Sequence, residues 1–141
     1  MSRRGPRWLS RVVRGDRGAV SAELVIATPL LLLMVMAIVQ FALWSHATHI
    51  AQAAAAQGLA AARAQDATLA QGDAAARRLL DQLGRGPLTN ARIEATRSGD
   101  TVVIRVRGLA SAVIPLLRLP VHAEATGPVE RFSPDLPAQG R

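Results

Sequence analysis

Few side chains in this 141-residue sequence are of types that do chemistry, and the one that stands out is Glu23, set inside "GAVSAELVIATPLLLLMVMAIVQFALW", residues 18–44. An ionised carboxylate at the centre of a membrane helix costs about 2.5–3.5 kcal/mol, and less near an interface. Two readings are open for Glu23. It snorkels back to the boundary and pairs with Arg14 or Arg17, or it has a use that its context in the sequence must name. The other candidates lead nowhere catalytic. His46 and His49 could share a helix face at i,i+3, but neither they nor His122 have acidic or imidazole partners at metal-ligand spacing. There are no cysteines, so disulfides and thiolate metal sites are excluded. Ser98, Ser111 and Ser133 lack a nucleophile-elbow context, and Gly84, Gly86 and Gly99 read as turn punctuation, not a phosphate cradle. Arg105 and Arg107 have no aromatic neighbours on which bases could stack. No enzyme, cofactor, metal, nucleic acid or small-molecule substrate is expected.

The elements that position Glu23 are a basic leader and an apolar run. The formal charge is +7, and residues 1–18, with six arginines against Asp16, carry +5 of it, leaving +2 for the rest. The basicity is a local tag, not a binding surface. Leu24 to Trp44 is a 21-residue run interrupted in apolar character only by Thr28, Pro29 and Gln40. At about 1.5 Å per residue it spans roughly 31 Å, against about 30 Å for the hydrocarbon core of a bilayer. No arginine lies between Arg17 and Arg63, so the positive-inside rule places the N-terminus in the cytoplasm and the C-terminal part outside. Trp44 falls where an aromatic belt would sit. A cleaved secretory signal is the alternative, favoured by small-residue patterns such as Ala51-Gln52-Ala53, but signal h-regions are shorter, about 7–15 residues.

Arginine leader, Gly18, and Glu23 at the fifth place beyond the glycine, followed at once by an apolar run, resembles a type IV prepilin-like signal. That resemblance implies cleavage after Gly18 by a prepilin peptidase, Ala19 as the new first residue, and Glu23 as a docking carboxylate that faces the terminal amine of a neighbouring subunit. "RGAVSAELVIATPLLLLMVMAIVQF" is similar to the opening of TadE-like proteins, minor pseudopilins of tight-adherence (Flp-type) pilus systems, with Pro29 where that family commonly has one. "AQAAAAQGLAAARA" is similar to the continuation of the family's first helix, and "VHAEATGPVERF" to a closing strand. The chain departs from the pattern at Leu24, where an aromatic is common, and at His46 and His49, where Arg or Tyr often stands.

The remainder is readable without the family. Ser45 to Ala67 is nearly all small residues and Gln, and continues the membrane helix. Small side chains at Ala51, Ala55, Gly58 and Ala62 would let another backbone approach closely, as in membrane and filament packing, or simply make a good helix. Gln71-Gly72-Asp73 breaks the rod, with Asp73 as N-cap, Ala74 to Leu83 as a second helix, an Arg77–Asp81 pair, and Gly84 with Pro87 as the stop. Its apolar face would be Ala76, Leu79, Leu80 and Leu83. From Asn90 the pattern alternates: Ile93 and Ala95, a turn at Ser98-Gly99-Asp100, then Val102, Ile104 and Val106 facing opposite to Arg105 and Arg107. A connector from Leu109 to Leu117 precedes a third strand in which Leu119, Val121, Ala123 and Ala125 alternate with polar residues or proline. Helix two should cover this sheet, and the tail, residues 133–141, is expected to be disordered.

The expected fold class is therefore α+β: a long N-terminal transmembrane helix continuing into an external helix, a second short helix, and a small three-stranded antiparallel sheet. The organisation is a basic cytoplasmic leader (1–18), a transmembrane helix (19–46), an external helical region (47–88), a β region (89–132) and the tail. The resemblance implies a cell-membrane protein that acts in pilus assembly, with other pilus or pseudopilin subunits and a prepilin peptidase as partners. Two alternatives stay open, an uncleaved signal-anchored envelope protein whose external domain binds a partner, and a small domain released by signal peptidase near Ala51 to Ala55.

Overall fold

Alanine, leucine and other unbranched side chains lose little freedom in a helix, and they dominate the first element, α1, a 55-residue helix over Leu9–Arg63. The computed structural model describes residues 9–64 and 66–129, with side chains from Glu23 onward. Pro29 lies inside α1, where its missing N–H leaves the Val25 carbonyl without its usual partner. Such a proline is tolerated in membrane helices because neighbouring groups re-satisfy the backbone. The helix ends four residues before the expected Ala67, with Arg63 in its last turn, where a cation complements the helix dipole. Asp66 then takes φ 59 and turns the chain.

Helix α2 runs over Leu69–Leu83, and its start corrects the expected one: the N-cap is Thr68, not Asp73. The Thr68 hydroxyl accepts from the Gln71 N–H at 3.3 Å, and the Gln71 side chain accepts from the Thr68 N–H at 3.0 Å, a complete capping box. Gly72 therefore lies within the helix and does not break it. Asp73, one turn into α2, is bonded by Arg77 at 2.7 Å, which replaces the expected Arg77–Asp81 pair. Gly84 closes the helix as expected, donating to the Leu80 carbonyl at 2.7 Å. The inward face is Gly72, Ala75, Ala76 and Leu80, with Leu79 half-buried. Leu83 is 55% exposed and leaves the expected apolar face.

The sheet is antiparallel in the order β1-β2-β3, with β1 at Leu88–Ser98, β2 at Thr101–Ala110 and β3 at Pro120–Pro128. The two-residue connection Gly99–Asp100 has its glycine at φ 58, the backbone that tight hairpin turns require. β1 carries one extra residue between Thr89 and Arg92, with Asn90 at φ 53. This bulge sets Arg92 opposite Arg107 and Ile93 opposite Val106; without it, the period of two would send Arg92 inward. Val102, Ile104, Val106, Val121 and Ala123 are buried on one face, as their alternation predicts.

The chain divides into two compact units, Met1–Val39 and Gln40–Arg141. Within the second, the cover over the sheet is not helix two alone. Ala47, Ile50, Ala51, Ala54, Ala55, Leu59 and Ala62 of α1 form one cluster with Leu80 of α2 and the inward residues of the sheet. Ala51, Ala55, Gly58 and Ala62 are thus consumed inside the chain, not presented to another molecule. A Cβ on Gly58 would stand 3.0 Å from both the Ala76 Cβ and the Gly72 carbonyl, and one on Gly72 would stand 2.6 Å from the Ala62 Cβ. The two helices cross at a contact that only glycine admits. The expected leader lies outside the described residues up to residue 8, as does the tail, residues 133–141.

Candidate functional site

The backbone is helical through Gly18 and Ala19, and Glu23 follows five residues beyond Gly18 on the same helix with an exposed side chain. Glycine inside a helix costs about 0.5–1 kcal/mol relative to alanine, so α1 is locally weakened at Gly18. After Glu23 the helix is apolar on every side. Leu24, Val25, Ile26 and Leu30 are 60–73% exposed, and the segment has a mean hydropathy of 2.5 over its most apolar 18 residues. A helix apolar all round is stable only in a protein core or a membrane, and no part of the described chain covers this one.

The last five residues of the apolar run, Gln40 to Trp44, belong to the second unit, and sequence reasoning missed what Gln40 does there. It is 2% exposed. Its Oε1 accepts from the N–H groups of Val113 at 2.8 Å and Ile114 at 3.3 Å, while its Nε2 donates to the Ser111 carbonyl at 3.2 Å. One turn on, the Trp44 indole donates to the Pro120 carbonyl at 3.1 Å. Both ends of the connector between β2 and β3 are therefore held to α1. The only local signal was a lone amide in an apolar run, since its partners are 71 to 74 residues away.

The outward face of the sheet is polar and open. The pairing sets Arg92, Arg107 and His122 in one row across the strands, and Glu94, Arg105 and Glu124 in the next. Arg105 donates to Glu124 at 2.7 Å. That hydrogen bond is the main cause holding the Glu124 carboxyl below the ordinary glutamate value and raising the Arg105 guanidinium. A depression lined by Arg105, Arg107, His122, Ala123 and Glu124 lies on this face and opens to solvent. His46 and His49 are exposed on α1 and His122 is exposed on β3. Among the described residues, no group of three or more His, Cys, Asp or Glu side chains could hold a metal ion.

Among the described residues, one helix is long and apolar enough to cross a membrane, and a small α+β unit follows it. Residues 18–60, which carry Gly18, Ala19, Glu23 and the whole apolar run, match the family model described as TadE-like protein, and over that segment the chain is similar to that family. The match ends on α1, before α2 and the sheet. No curated protein and no solved structure matches the chain. The family match and the apolar helix together support a pilus-associated membrane protein.

Proposed function

We propose that the protein is a minor pseudopilin of a TadE-like pilus-assembly system, held in the cell membrane by α1 and cut after Gly18 by a prepilin peptidase. The observation that carries this reading is the coincidence of the family match over residues 18–60 with an apolar helix that the described chain leaves uncovered. The N-terminus is cytoplasmic and the chain beyond the apolar run extracytoplasmic, because six arginines precede the run and none follows before Arg63. Function is assembly, not catalysis. The helix waits in lipid, Gly18 is cut, and the new amine at Ala19 of one subunit meets the Glu23 carboxylate of another as the helices leave lipid for a protein assembly. Pairing offsets the desolvation of both charges.

The alternative in which signal peptidase releases a domain near Ala51 to Ala55 is disfavoured by the core. Ala51, Ala54 and Ala55 are 0–1% exposed, and a cut there would remove Gln40, Ala47 and Ile50 from the folded unit. The test is the intact mass of the protein extracted from the membranes of its own host. A chain beginning at Ala19 is expected. A full-length chain would leave the uncleaved signal-anchored envelope protein as the reading.

A further inference from the structure

The connector between β2 and β3, "SAVIPLLR" over residues 111–118, is apolar where a surface loop is ordinarily polar. Leu116 is fully exposed, Val113 is 44% exposed and Leu117 is 37% exposed. Leu116 also takes φ 68, a conformation that costs a bulky side chain on the order of 1–3 kcal/mol and that persists where surrounding structure imposes it. Here the imposing structure is α1, through the Gln40 and Trp44 bonds at the two ends of the loop.

The loop's polar backbone is largely satisfied from within. The N–H groups of Val113 and Ile114 go to Gln40, that of Leu117 goes to the Ile114 carbonyl, and Pro115 has no N–H to satisfy. Each backbone group paired in this way lowers the cost of bringing irregular backbone toward the edge of the hydrocarbon. The same bonds satisfy Gln40, whose amide would otherwise be costly in an apolar run. From residue 101 to residue 123 there is no carboxylate, and Arg118 follows the apolar tip directly, which suits an anionic headgroup layer.

We infer that this loop is a second lipid contact, in which Val113, Leu116 and Leu117 enter the outer leaflet of the membrane that α1 crosses. The inference rests on the membrane reading of α1 and adds to it a lipid contact made by the C-terminal unit. Depth sets the occupant. If the span ends at Trp44, then Gln40 lies four residues, roughly 6 Å, inside it. A loop bonded to Gln40 then sits at the headgroup and acyl boundary, where apolar faces of interfacial segments are buried by about 5–10 Å. The residues that hold the loop, Gln40 and Trp44, belong to the end of the apolar run itself, so lipid there needs no second protein to cover it.

The chain has no cysteine, so a single environment-sensitive nitrobenzoxadiazole label can be placed at will. The full chain carrying Leu116→Cys, Leu31→Cys or Ser98→Cys is labelled and reconstituted in phosphatidylcholine and phosphatidylglycerol vesicles. Leu31 reports the span and Ser98 the hairpin at the other end of the sheet. The expected result is blue-shifted emission at 116, lost to lipids with a nitroxide high on the acyl chain and insensitive to aqueous iodide, while 98 is quenched by iodide. Iodide quenching at 116 with lipid quenching at 31 would overturn the inference and leave the membrane helix standing. A label at 116 shielded from both quenchers would mean that protein covers the loop, and would also overturn it. Iodide quenching at 31 would remove the membrane reading itself, and this inference with it.

Discussion

Glu23 and Gln40 stand near the two ends of the apolar run and differ in what satisfies them. Gln40 has three hydrogen bonds from its own chain. Glu23 is exposed, and on our reading its partner comes from another subunit. Opposite outcomes follow from removing each. Glu23→Ala keeps the fold and the membrane fraction but loses incorporation into the pilus assembly, measured by co-isolation from membranes; normal incorporation would remove the carboxylate from the mechanism. Gln40→Leu leaves two N–H groups and one carbonyl without partners, each costing about 1–3 kcal/mol if it stays buried, and is expected to lower the unfolding midpoint of the detergent-solubilised chain. On the outer face, Arg105 holds Glu124 below the ordinary carboxyl range. A lowered folded value means that the pair adds stability above the unfolded glutamate value and loses it as pH falls through the folded one. The pair is exposed, and its contribution to folding is correspondingly small. A titration of the Glu124 carboxyl by NMR should move upward toward the ordinary value in Arg105→Gln.

At the scale of elements, the crossing of α1 and α2 makes a prediction of unusual sign. Replacing a helical glycine by alanine normally stabilises by about 0.5–1 kcal/mol. At Gly72 the new Cβ would meet the Ala62 Cβ at 2.6 Å and the Gly58 carbonyl at 2.8 Å, and neither atom lies at the end of a flexible side chain that could move aside. Gly72→Ala should therefore lower the thermal midpoint, and an unchanged or raised midpoint would mean that the helices do not cross there. The same contact explains which parts of the fold were legible in sequence. The apolar run of α1 and the alternation of Val102, Ile104 and Val106 are local periodicities, and both are present as read. The Thr68-x-x-Gln71 capping box was equally local, but Gly72 drew attention as a breaker because its reason is tertiary. The partners of the small-residue stripe on α1 were invisible for the same reason: spacing shows that a backbone can approach, not whose backbone it is. Of the candidate site, Gly18, Ala19 and Glu23 were proposed from a local motif and the prepilin-like signal it resembles, whereas Gln40 depended on a loop that only the fold brings to it.

For the whole molecule, the unit boundary and the helix boundary do not coincide, and folding should follow the first. α1 continues past Val39, where the first unit ends, to Arg63. Its stretch from Ala47 to Ala62 supplies seven of the fifteen residues in the core cluster found among the described residues. The apolar face of the three-stranded sheet is packed mainly by these α1 residues, with Leu80 the one α2 member of the cluster. A chain truncated to begin at Gln40 retains the core, the capping box and both ties to the β2–β3 connector, and should unfold in a single cooperative transition followed by circular dichroism. A chain truncated to begin at Ala64 keeps α2 and all three strands yet loses the α1 part of the core, and should show no such transition. If the shorter chain folded as well as the longer one, the Ala-rich half of α1 would be a mere extension of the membrane anchor, not the structural cover of the sheet.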